Sequence, residues 1–165
     1  MFDFWEVREI PEGPAGTLET LNAMAELVRG SLLDPITRET GLHLLTMWRP
    51  GDARLGVSRI TRWVRQHMAY VNEPIETLHG PAWMLATIEA QGRVWGDCDD
   101  AAMLTATLGL SCGLAARLVA IRPPNTEDFV HVFSELGTVS DRWFVSDPTS
   151  RRPPPRDWER MVVQI

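Results

Sequence analysis

Trp95-Gly96-Asp97-Cys98-Asp99-Asp100 runs directly into the uncharged segment Ala101-Ala102-Met103-Leu104-Thr105-Ala106-Thr107-Leu108-Gly109-Leu110. A glycine suited to a tight turn, then a cysteine, carboxylates and strong helix formers predict a helix whose first turn carries a thiol. The unpaired N–H groups and positive dipole end of such a helix favour thiolate, the nucleophilic form. Cys98 is therefore the candidate nucleophile. A free cysteine is more often a small buried residue, but Asp97, Asp99 and Asp100 argue against burial here, because carboxylates are rarely buried unpaired. The apolar stretch over 101–116 is too short for a membrane span and contains Thr105, Thr107 and Ser111, so it reads as a buried core helix.

Outward from this helix the hydrophobic period changes. Downstream it falls to two, predicting strands over 117–122, 129–136 and 142–147, with Pro123-Pro124 and Pro148 as stops and a turn at 137–141. Upstream it is helical. Residues 1–16 read as an irregular arm, Thr17 as the cap of a helix to Arg29 with Gly30 as its stop, and Asp52 as the cap of a helix to about Tyr70 with Leu55, Ile60, Trp63 and Val64 inward. A third helix is expected over 77–90, with Pro81 in its first turn and Trp83, Met84 and Ile88 inward, and 91–95 as a connector. The segment 31–48 stays open, although Asp34-Pro35 is compatible with a short helix. Helices first and antiparallel strands after give an α+β architecture. It is expected as one domain over 1–165, with a helical extension (1–50), a core (51–149) and an extended tail (150–165).

The chain has 165 residues, enough to bury roughly 70% of its unfolded surface. Its net charge of −6 and lack of any basic cluster exclude nucleic acid and anionic membrane as expected partners. Cys98 and Cys112 lie about 21 Å apart on one helix, too far for a disulfide, which suits a reducing compartment. The N-terminus lacks a signal pattern, so the expected location is cytoplasmic, or virion-associated if the chain is phage-encoded.

A thiolate nucleophile needs a base, usually histidine. His43 and His67 fall in amphipathic segments, and His79 before Gly80-Pro81 reads as a surface turn residue. His131 sits mid-strand among apolar neighbours and requires a polar partner. Pairing Gly137 with Asp141, or Leu136 with Arg142, puts Asp147 directly opposite His131 on one face, about 5 Å away between Cβ atoms. A loop of even length would turn Asp147 to the other face. A metal site from Asp97, Cys98, Asp99, Asp100 and His131 is the rival reading. Sequential carboxylates beside one thiol fit neither structural zinc nor a hard-ion loop, so no metal and no cofactor are expected.

Gly96-Asp97-Cys98-Asp99-Asp100 with its helix, the strand holding His131, and Trp143-Phe144-Val145-Ser146-Asp147-Pro148-Thr149 together resemble the transglutaminase-like superfamily of papain-like cysteine enzymes, most of all its small microbial and phage-associated members. Trp63-Val64-Arg65 and Tyr70-Val71-Asn72-Glu73-Pro74 resemble the helix that precedes the family's catalytic segment. The resemblance implies Cys98 as nucleophile, His131 as base and Asp147 as its orienter, with Gln91 or Trp95 as oxyanion donor and Asp97 and Asp99 lining the site. It implies acyl transfer from a peptide or protein amide. Having no lysine, the chain cannot cross-link copies of itself through lysine side chains, and without an evident second substrate module hydrolysis is favoured over transfer to an amine. The alternatives are a protein-glutamine acyltransferase, or a non-enzymatic domain that keeps the fold and meets phage structural or tail-assembly proteins. An apolar patch from Trp48, Trp158 or the tail prolines at 153–155 would favour the latter.

Overall fold

The computed structural model describes residues 10–49, 51–72, 77–138 and 142–165. In chain order they form α1 (Gly13–Ser31), α2 (Pro35–Leu45), α3 (Ala53–His67), β1 (Met68–Tyr70), α4 (Pro81–Gln91), β2 (Val94–Gly96), α5 (Cys98–Ser111), β3 (Ala115–Arg122), β4 (His131–Gly137), β5 (Trp143–Ser146) and β6 (Glu159–Gln164). The expectations for residues 1–9, for Glu73-Pro74 and for the turn at 139–141 lie outside the described residues.

The uncharged run after Cys98 becomes the buried axis of the fold. Ten consecutive residues of α5, Asp100 through Gly109, are buried. Met103, Leu104 and Leu108 are sealed in one cluster by Leu21 and Met24 of α1, Leu44 of α2, Ile60 and Val64 of α3, and Met84 of α4. Leu118, Ala120, Val132 and Leu136 close the same cluster from the sheet. Truncating one of these large aliphatics to alanine costs about 2–5 kcal/mol. The four-stranded antiparallel sheet has the order β5-β4-β3-β6. Strand alternation carries Val119, Ile121 and Phe133 to its other face, where Trp158 packs on them.

Local chemistry explains the ends. Asp34 and Asp52 cap α2 and α3 by accepting the N–H of Ile36 and Leu55 at 3.1 and 3.0 Å. Helix α1 starts at Gly13 instead of Thr17, since Pro14 fits a first turn that needs no N–H; Thr17 Oγ1 donates back to the Gly13 carbonyl at 3.3 Å. It also runs past Gly30 to Ser31. Helix α3 ends at His67 because Met68–Tyr70 pairs in parallel with Val94–Gly96, so the expected connector holds a strand. Leu55 is exposed, while Gly56 and Val57 join Ile60 and Val64 inward. Trp83 points outward, 53% exposed, with its ring 5.0 Å from that of His79. The expected tail returns as the edge strand β6 beside β3.

The hairpin register differs from expectation by two residues. Gly137 pairs with Trp143 and Ser134 with Ser146, which brings Phe133, not His131, opposite the position of Asp147. Thr138 N–H closes the ladder on the Arg142 carbonyl at 3.2 Å. A two-residue slip keeps every side chain on its original face, so His131 and Asp147 become diagonal neighbours, still within reach.

Candidate active site

Cys98 is the first residue of α5, and Asp97 caps that helix by accepting the Asp99 N–H at 3.0 Å. The thiol donates to Asp99 Oδ1 at 3.6 Å and takes a hydrogen bond from the Val132 backbone N–H on β4. Burial pushes its pKa up to about 12, Asp99 and Asp97 add to the rise, and the Val132 N–H opposes it. A rise from 9.0 to about 12 corresponds to about 4 kcal/mol. A helix dipole contributes about 0.3–1 kcal/mol. Burial, with the two carboxylates behind it, outweighs the dipole, so the resting Cys98 is a neutral thiol and not the thiolate that its helix position suggests.

His131 opens β4, and its Nε2 lies 2.7 Å from Asp147 Oδ2. Asp147 is 8% exposed; burial raises its pKa, but hydrogen bonds from His131, Thr149 and Ser150 more than reverse this and hold it below the usual range. An ionised carboxylate only accepts, so Nε2 carries the proton and Nδ1 of the neutral ring is left as the basic nitrogen. Asp147 Oδ1 accepts from the Thr149 N–H and hydroxyl at 3.0 and 2.8 Å and from the Ser150 N–H at 3.1 Å. Arg65 of α3 holds the same loop, donating to the carbonyls of Pro148, Asp147 and Ser150 at 2.9, 3.0 and 2.9 Å.

Cys98, His131, Asp97 and Asp99 line one cleft of about 1480 Å³, walled by α1, the start of α2, Tyr70, Asn72, Thr77, Leu78 and residues 129–132. Burial first, then the nearby Cys98, Asp97 and Asp99, raise the pKa of Tyr70, keeping its phenol a neutral donor. The expected oxyanion donors lie elsewhere: Gln91 is exposed at the end of α4, Trp95 is 54% exposed on β2, and neither lines the cleft. Tyr70 and Asn72 do line it.

The ligand atoms of Asp97, Cys98 and Asp99 fall within 4.8 Å of one another. The two other members of the five-residue metal reading are committed elsewhere. His131 is turned to Asp147, while Asp100 accepts the backbone N–H of His79 at 2.9 Å and meets its Nδ1 at 2.7 Å. His79 is therefore no surface turn residue. Gly96 is required by a close approach, since a Cβ there would collide with Asp100 Oδ2 and Met68 Cε. Both cysteines are free.

Residues 47–148, more than half of the chain, match the transglutaminase-like superfamily. The chain belongs to that superfamily. Two solved structures share the transglutaminase-like fold seen here. One, a candidate protease from Parabacteroides distasonis, is 12% identical with a TM-score of 0.66, over 88% of this chain and 30% of its own. The other, a candidate cysteine protease from Cytophaga hutchinsonii, is 16% identical with a TM-score of 0.53, over 84% and 53%. This superfamily member thus spans about a third to a half of either neighbour. No curated protein matches it.

The His131–Asp147 pair was legible in the transglutaminase-like pattern; Tyr70, Arg65, His79 and the Val132 N–H were not assigned roles there. Each reaches the site through tertiary contacts, although Arg65 and Tyr70 fell in segments carrying the family resemblance.

Proposed function

We propose that this chain is a cysteine-dependent amide hydrolase working through an acyl-enzyme. The observation that carries this reading is the division of His131: Nε2 is spent on a buried, ionised Asp147, which leaves Nδ1 as base in the cleft that also holds Cys98. Because the thiol is neutral at rest, His131 acts as general base: Nδ1 takes the proton as sulfur attacks the carbonyl, then returns it to the leaving amine. Water deprotonated by the same imidazole then cleaves the thioester. The Cys98 backbone N–H at the head of α5, with the Tyr70 hydroxyl or Asn72 amide, suits the developing oxyanion.

An extended peptide suits the cleft better than a compact metabolite, since its volume exceeds the roughly 300–1,000 Å³ of small-molecule pockets. Rim residues Tyr70 and Val130 are each 57% exposed, which gives water access to an acyl-enzyme and supports hydrolysis over transfer. Of the residues expected to form a patch for the non-enzymatic alternative, Trp48 packs over Gly56 and Trp158 against Val119, Ile121 and Phe133, while Pro153 and Pro155 of the tail are exposed. The test is to load an activated ester and follow the protein by mass. Wild type should gain one acyl group and release free acid at a rate insensitive to a millimolar primary amine, while Cys98→Ser should gain none. Partitioning to the amine would make the chain an acyltransferase; an unmodified wild type would count for the non-enzymatic reading.

A further inference from the structure

Three carboxylates are buried among the described residues: Asp100, Glu135 and Asp147. Glu135 is neutralised by Arg117 and Arg160, and Asp147 orients His131. Asp100 has no part in the reaction described above, yet it is fully buried two residues after Cys98.

Its contacts join three segments that build the cleft. Oδ1 and Oδ2 take the backbone and ring N–H groups of His79. Thr77 and Leu78, just before His79, line the cleft. Oδ2 also sits where Gly96 leaves no room for a side chain. Gly96 in turn pairs with Tyr70 and accepts the Val71 N–H at 2.9 Å. One carboxylate thus ties the nucleophile's helix to the Tyr70 strand and to the wall segment at 77–80.

We propose that His79 and Asp100 are a positioning pair of the cysteine site: ionised Asp100 registers the wall carrying Tyr70, Thr77 and Leu78 against Cys98. The inference rests on the acyl-enzyme reading for its activity assay but not for its labelling assay. The groups that face Asp100 are few. His79 from the wall segment lowers its pKa and Asp97 at its own helix cap raises it, while Gly96 and Met68, on β2 and β1, bring no charge. Burial dominates and sets the carboxyl at about 6. Below that pH it takes up a proton and can no longer accept from both His79 donors, so the wall loosens. Stability runs the opposite way. A carboxyl whose folded pKa lies above 3.8 contributes stability at low pH that is lost as pH rises through about 6. A merely structural pair would move activity and stability together.

The experiment measures kcat and KM for an activated ester, with thermal midpoints, from pH 5 to 8 in wild type, Asp100→Asn, His79→Asn and His79→Ala. It also follows iodoacetamide labelling of Cys98 over the same range. A step centred near pH 6 in kcat and in labelling is expected for wild type and absent from D100N, with kcat at pH 7.5 at least tenfold lower. H79N, whose side-chain amide can replace the Nδ1–H donor, should recover most of what H79A loses. If no ester is turned over, the acyl-enzyme reading fails and labelling alone decides the pair. Superimposable wild-type and D100N profiles overturn the proposal. Should D100N not fold, H79A and H79N decide it, and equal rates in both and in wild type overturn it.

Discussion

A neutral thiol at the head of α5 means that Cys98, the proposed nucleophile, is held in check by its neighbours. Burial is the larger cause and Asp99, 3.6 Å from the sulfur, the next. The Asp99 contribution can be removed without opening the site. Asp99→Asn should speed iodoacetamide labelling of Cys98 at pH 7.5 by about tenfold or more, since one pKa unit is a factor of ten in thiolate at a pH well below the pKa. In wild type the labelling rate should still be climbing above pH 9. A rate unchanged by the substitution would mean that the carboxylate does not set the thiol's charge. The aspartates of this motif have separate duties that their spacing did not reveal. Asp97 caps, Asp99 faces the sulfur, and Asp100 turns into the core, because successive helical residues point about 100° apart.

At the scale of elements, α5 works because Asp100 is the one charged residue among its buried positions, with only Thr105 and Thr107 as buried hydroxyls, and because it lies close to β4. Ser134 Oγ donates to the Ala102 carbonyl at 2.6 Å, and Gly109 packs directly on Leu136. A Cβ at Gly109 would strike that fully buried leucine, whereas one at Gly30 in α1 meets nothing within 4 Å. Removing a helical glycine gains up to about 1 kcal/mol, and overpacking costs about 1–3 kcal/mol. Gly109→Ala should therefore lower the thermal midpoint and Gly30→Ala raise it. Midpoints that move in the same direction would show that helix propensity, not the α5–β4 spacing, controls stability here. The elements also explain how the hairpin reading survived its register error. The turn slipped by two residues and parity was kept, so Asp147 stayed on the face of His131.

Across the whole molecule, the cleft from α1 to β4 has a charge character of its own. The acidic and basic side chains lining it among the described residues, the histidine at 131 aside, are Glu26, Asp34, Asp97 and Asp99, all carboxylates, with no Arg. If the hydrolase reading holds, peptide esters with Lys or Arg beside the scissile carbonyl should show higher kcat/KM than those with Glu, and 0.5 M NaCl should shrink the difference. Equal rates at low salt would contradict it. The described helices are none of them long and apolar enough to cross a membrane. What the sequence by itself determined is whatever near neighbours control: the thiol at the start of a helix, the aspartate cap at 52, the burial of an uncharged run, and, given a loop of odd length, the shared face of His131 and Asp147. Only the tertiary structure decided the ionisation of Cys98, the His79–Asp100 pair across 21 residues, the arrival of Tyr70 through β1–β2 pairing, and the return of the tail as β6. Capping and periodicity act over a few residues of chain, whereas desolvation and Coulomb fields act through space and depend on which distant segments the core brings together.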